Sequence, residues 1–78
     1  MQTFYVIEVN KGNGSTGAYL SKVENRSAEH YGKPVTMNIY NAIKFFDAKS
    51  GKDMMRLLGV TLKDFMVTEH VFVESPDA

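Results

Sequence analysis

A run of β-branched and aromatic residues stands near the start of the chain. Between Thr3 and Val9, Tyr5, Ile7 and Val9 fall on one face and Phe4 and Val6 on the other. A stretch apolar on both sides predicts a central strand. Lys11 to Gly17 is turn chemistry throughout, with Asn13-Gly14 the dipeptide best suited to a hairpin tip. Ala18 to Val23 predicts the returning strand, with Tyr19, Ser21 and Val23 on one face. Glu24 to Pro34 is polar, ends in Gly-Lys-Pro, and predicts an exposed loop with room for one helical turn.

Val35 to Phe46 carries two periodicities. Ile39, Ala42, Ile43 and Phe46 have helical spacing, while Val35, Met37, Ile39, Ile43 and Phe45 sit at odd positions, as in strands. The helix signals directly after Phe46 favour a strand at Ala42–Phe46, entered from a bend near Asn38–Asn41. Asp47 or Ser50 can cap a helix through Met54, Met55, Leu57 and Leu58, and Gly59 suits its end. Its apolar stripe is Ala48, Met55 and Leu58, with Gly51 and Met54 flanking. Thr61 to Asp64 outlines a second cap, with Val60 and Phe65 at the hydrophobic-staple positions. Met66 to Glu74 then predicts a closing strand. The expected fold is α+β: a small antiparallel sheet, made from a hairpin, a third strand and a final strand, with one main helix on a face.

The 78 residues bound this picture to one domain, residues 1–74, with a frayed tail at 75–78. A domain of this size buries only about 60% of its unfolded surface, so its core is modest. One helix cannot cover both faces of a sheet whose strands are apolar on both sides. A homodimer is one way to cover the second face.

Nine basic residues oppose nine acidic ones, which removes a bulk electrostatic grip on nucleic acid or anionic lipid. The absence of cysteine excludes thiolate chemistry and common zinc fingers, and points to a reducing, cytoplasmic setting. No apolar run approaches a membrane span, and the N-terminus lacks signal-peptide character.

Gly12-Asn13-Gly14-Ser15-Thr16-Gly17 spells G-x-G-x-x-G, but a dinucleotide site needs a helix after the glycines and a βαβ unit around them. Here a strand comes next, so the glycines are expected only to turn the chain. His30 and His70 each follow a glutamate, yet lie too far apart in sequence to nominate a metal site. No nucleophile-elbow pattern is present. The sequence therefore names no catalytic residue, no cofactor and no metal. Its candidates are interaction residues. Lys49, Lys52 and Arg56 share one face of the expected helix and could touch phosphates, with Lys44 nearby and Asp53 interrupting them. Tyr31 and Tyr40 are candidate interface anchors.

Phe4-Tyr5-Val6-Ile7-Glu8-Val9, Tyr19-Leu20-Ser21-Lys22-Val23, Asn41 to Asp47, Met54 to Gly59 and Val71-Phe72-Val73-Glu74 together form a familiar order. It resembles small accessory proteins of phages and prophages of low-GC Gram-positive bacteria, over most of the chain. The chain departs from them at Gly51, where alanine is expected, and in the long Glu24–Pro34 loop. The resemblance implies a phage or prophage origin and no catalytic residue. It further implies work by binding another protein, host or phage, such as a host immunity or nuclease complex. A nucleic-acid-binding accessory protein using the basic helix face is the alternative.

Overall fold

The computed structural model describes residues 2–12 and 16–72, without the side chain of Phe72. Five strands form one antiparallel sheet: β1 (Gln2–Val9), β2 (Tyr19–Leu20), β3 (Ala28–His30), β4 (Lys33–Thr36) and β5 (Phe65–Phe72). Their order across the sheet is β3-β4-β2-β1-β5. Among the described residues a single α-helix, α1 (Ala48–Leu58), packs on one face. The fold is the small α+β arrangement that the alternation predicts.

The central position of β1 reflects its sequence. β-Branched and aromatic residues on both sides suit a strand with neighbours at each edge. Glu8 pairs with Tyr19 of β2, and all of β1 pairs with β5, from Gln2 opposite Phe72 to Val9 opposite Phe65. The expected hairpin is therefore formed at its base, where Val9 donates to the Ala18 carbonyl at 2.9 Å. Asn13-Gly14, its expected tip, lies outside the described residues.

Three expectations about the middle of the chain are corrected. The strand expected at Ala18–Val23 is a ladder only at Tyr19–Leu20, and Val23–Asn25 is a 3-10 turn. The loop expected at Glu24–Pro34 holds a second hairpin, in which β3 and β4 join with His30 opposite Lys33. Its turn is Tyr31-Gly32, with φ of 51° and 76°. Two positive φ values are what a type I′ hairpin turn requires, and glycine accepts one readily. A bulky tyrosine does not advertise the other. The strand expected at Ala42–Phe46 is an extended crossover rather than a ladder. A 3-10 turn (Ile39–Asn41) precedes it. It fills the gap where β1 and β2 diverge: Ile43 donates to Leu20, and Phe45 exchanges two hydrogen bonds with Tyr5 at 2.8 Å.

The helix is capped at both ends as its sequence suggests. Asp47 accepts from the Ser50 N–H at 2.7 Å, which holds its carboxyl below the usual range. Gly59 closes the helix in the left-handed conformation, at φ 71°. Gly51 and Met55 are its buried residues; Met54 and Leu58 pack at the margin of the core. Val60 and Phe65, the expected staple pair, both join that core.

The core on the helix side is Ile7, Val9, Ala18, Leu20, Val35, Met55 and Phe65. On the opposite face, Val6 and Tyr19 are buried under Ala42 and Ile39 of the chain's own crossover. The apolar second face that suggested a homodimer is thus covered, where it is most apolar, from within.

Candidate functional site

Three places on this frame gather polar or unpaired groups. The first is buried. Glu8, only 1% exposed, points from β1 to the face opposite α1. One carboxylate oxygen accepts the Thr16 main-chain N–H at 2.8 Å, and the other accepts the Thr68 hydroxyl at 3.0 Å. The Thr68 oxygen lies 2.9 Å from Nε2 of His70, whose ring meets Tyr19 edge-on at 5.8 Å. His70 Nε2 itself stands 3.7 Å from Glu8.

Hydroxyl chemistry fixes the direction of this chain. Thr68 has one proton to give, and a buried carboxylate has nothing to give back. With the Thr68 hydroxyl donating to Glu8, the Thr68 oxygen accepts from His70, so Nε2 is the ring nitrogen that carries a proton toward it. A catalytic triad places imidazole between acid and hydroxyl. Here the hydroxyl stands between acid and imidazole, and its proton is held by the carboxylate. The arrangement ties β1, β5 and the turn before β2 together. Replacing Glu8 with glutamine should reverse the chain, because the amide N–H₂ would donate to Thr68 and Thr68 to His70. Neutral His70 should then move from the Nε2–H to the Nδ1–H tautomer, visible in long-range ¹H–¹⁵N spectra of the ring. An unchanged tautomer would refute the assigned direction.

This cluster was not legible in the sequence. Glu8 is sixty residues from Thr68. Only the β1–β5 register, with Val6 opposite Thr68 and Phe4 opposite His70, brings the three side chains together. The one available signal was that Glu8 is the only charged residue of β1. His30, the other histidine considered, lies on the helix side, with its ring 4.5 Å from Tyr31. Among the described residues no cluster of histidine and acidic side chains could hold a metal ion.

The second place is the basic face of α1. Lys49, Lys52 and Arg56 do share one side of the helix, but Asp53 divides them. It binds Lys49 at 3.0 Å and stands 4.0 Å from Arg56. That pairing raises Lys49. Lys52 and Arg56 line a groove of about 320 Å³ whose other walls are Met55, Val60 and Leu62. Lys44 is elsewhere. Its ammonium donates to the Tyr40 and Ala42 carbonyls at 2.6 and 3.2 Å, and burial pushes it down. With exposed Tyr40, Lys22, Asn25 and Asn41 it borders a second groove, which shares no lining residue with the first. Tyr31 also stands apart from both: its ring packs edge-on against Phe65 at 5.9 Å as well as against His30. The five interaction candidates therefore do not form one surface.

The third place is the outer edge of β5. Tyr5 spends its peptide groups on Phe45 and the Val9 N–H goes to Ala18, so odd residues of β1 address the β2 side. Even residues then address β5, where their opposites are Met66, Thr68 and His70. Because antiparallel pairs alternate, the peptide groups of Phe65, Val67, Glu69 and Val71 point outward. The Phe65 N–H is used by the Thr61 carbonyl at 3.0 Å. Among the described residues, those of Val67, Glu69 and Val71 meet no main-chain partner.

Fold and edge together define a class: a small α+β domain whose sheet ends in a long open strand. Comparison with known proteins narrows this no further, since no family model, curated protein or solved structure matches the chain.

Proposed function

We propose that the chain is a non-enzymatic accessory protein that acts by protein–protein contact. The observation that supports this best is the open edge of β5. An eight-residue strand, with no proline and one acidic residue, leaves a row of main-chain donors and acceptors without main-chain partners among the described residues. Such an edge is a template for a strand from another chain. Proteins whose edges must stay solitary often shorten them or fill them with lysine, and β5, eight residues long without a lysine, has neither device. Exposed apolar side chains, among them Phe46 and Val71, add adhesive surface.

The sequence resemblance adds a context to this reading: a phage or prophage origin, work in the cytoplasm of a bacterial host, and a host factor such as an immunity or nuclease complex as partner. No helix among the described residues is long and apolar enough to cross a membrane. Nucleic-acid contact through Lys49, Lys52 and Arg56 is the weaker reading, because Asp53 compensates part of that charge.

The test uses the immobilised chain and lysate of a low-GC Gram-positive host. A defined host protein should be retained by the wild type and released by Glu69→Pro. That substitution removes an outward N–H while leaving the main-chain bonds between β1 and β5 in place, at the cost of the side-chain bond from Tyr5. Retention of no protein, together with a gel shift of nucleic acid at low salt that Lys52→Glu abolishes, would reverse the order of the two readings.

A further inference from the structure

The groove beside the second half of α1 is lined from one short stretch of chain, 52–62. Lys52, Met55 and Arg56 come from the helix, and Val60 and Leu62 from the turn that follows Gly59. Spacings of three and four residues put Lys52, Met55 and Arg56 side by side on the helix surface. Buried Met55 and half-buried Val60 make its apolar floor. Leu62 stands beside them 64% exposed, outside the core. Two cations complete the lining, and no acidic residue is part of it. Asp53, between them in sequence, is bound by Lys49 at 3.0 Å and stands 4.0 Å from Arg56. Among the described residues the Lys52 ammonium has neither an ion pair nor a hydrogen bond. Most of the main chain here is already paired. The Met55 and Arg56 carbonyls accept the N–H groups of Val60 and Gly59, both at 3.1 Å. The Thr61 carbonyl accepts from Asp64 and Phe65, and the Leu62 carbonyl from the Asn10 side chain at 2.9 Å.

We infer that this groove binds a small amphiphilic anion, a single alkyl chain that ends in a carboxylate or phosphate head. The chain lies on Met55 and Val60 against Leu62, and the head meets Lys52 and Arg56. A guanidinium offers either head a planar pair of donors, and an ammonium adds a point charge. Methionine is unbranched and polarisable, so it adapts to a flexible chain. The paired main chain favours this occupant over a peptide. A peptide laid in the groove brings amide groups that need partners, whereas an alkyl chain brings none. At about 320 Å³ the groove is at the small end of ligand sites, which suits one chain rather than a diacyl lipid. None of its lining residues belongs to β5, so this site and the proposed use of the β5 edge stand or fall separately.

The probes are hexanoate, octanoate and decanoate, titrated below their micelle concentrations and followed through the methyl resonances of Met55, Val60 and Leu62. Affinity should rise about two- to fourfold per methylene, the range between a half-buried and a fully buried chain. Decanoate should bind about tenfold more tightly than decylammonium at low salt. Lys52→Glu combined with Arg56→Glu, both exposed positions, should reverse that preference. Leu62→Ser, also at an exposed position, should weaken decanoate by about threefold or more. Decyl phosphate, run in parallel, tells the two heads apart, since the tighter binder names the head. Affinity independent of chain length, equal binding of decanoate and decylammonium, or shifts confined to other methyls would overturn the inference. So would an acetylated leucyl-glutamyl amide that shifts these methyls at lower concentration than octanoate, because a protein segment would then fit the groove better. A wild-type dimer in sedimentation that Leu62→Ser converts to monomer would overturn it in favour of a second copy.

Discussion

Phe65→Ala should lower the thermal midpoint by on the order of 20 °C. Phe65 is fully buried, and it stands where the core, the 61–64 turn and the start of β5 meet. Deleting a buried phenyl ring costs about 3–5 kcal/mol, part lost transfer energy and part unfilled cavity. A 78-residue chain has only about 4–12 kcal/mol of net stability. In a domain of this size each kcal/mol moves the midpoint by about 4–8 °C. Thermal unfolding followed by circular dichroism reads the effect directly. A shift of under about 5 °C would mean that Phe65 does not hold the core. The position also matters to the open edge, because the Phe65 N–H is the outward group that Thr61 already occupies. Weakening this anchor should loosen β5 before it loosens β1.

Gly51 presents the second large effect, and its sign runs against helix propensity. Glycine inside a helix is less favourable than alanine by about 0.8–1.0 kcal/mol, so sequence alone recommends alanine there. A Cβ at Gly51, however, would stand 3.2 Å from both γ-methyls of Val67 and 3.6 Å from the Phe45 ring. Overpacking of this kind costs about 1–3 kcal/mol. Gly51→Ala should therefore be neutral to destabilising, and Gly51→Leu should lift α1 off the sheet with a much larger loss. The decisive comparison is a double-mutant cycle in urea. In a Val67→Ala background the crowding is gone, and Gly51→Ala should become stabilising by most of its propensity gain. If Gly51→Ala stabilises the wild-type background to the same extent, the close approach of α1 to β5 is wrong.

These residues also show where sequence reasoning succeeded and failed. β1, the helix and β5 were legible because each carries a local signal: alternation with β-branched residues, a cap at Asp47 with Gly59 behind it, and a valine-rich run. The β3–β4 hairpin was not legible. Its strands are short and largely polar, β4 contains Pro34, and its turn places a tyrosine at positive φ. The crossover at 42–45 carries strand-like residues but spends them filling a gap, making isolated bridges instead of a ladder. Its mixed periodicity reflects contacts to both β1 and β2. The interaction candidates divide in the same way. Helical spacing alone gathered Lys49, Lys52 and Arg56, whereas Tyr31 and Tyr40 depend on turns whose directions no periodicity encodes.

By itself, the sequence determined the α+β class, the central strand, the capped helix and the charge stripe along it. Each depends on neighbours within a few residues, where backbone geometry alone decides which side chains share a face. Tertiary structure alone decided that Gly51 is the seat of the helix on β5, and that Glu8 closes a hydrogen-bond chain with Thr68 and His70. It alone decided that β5 lies at the rim of the sheet. The physical reason is that strand order and register are set by long-range hydrogen bonding and packing. These choose which edge stays open without leaving a mark in the local pattern of the strand that bears it.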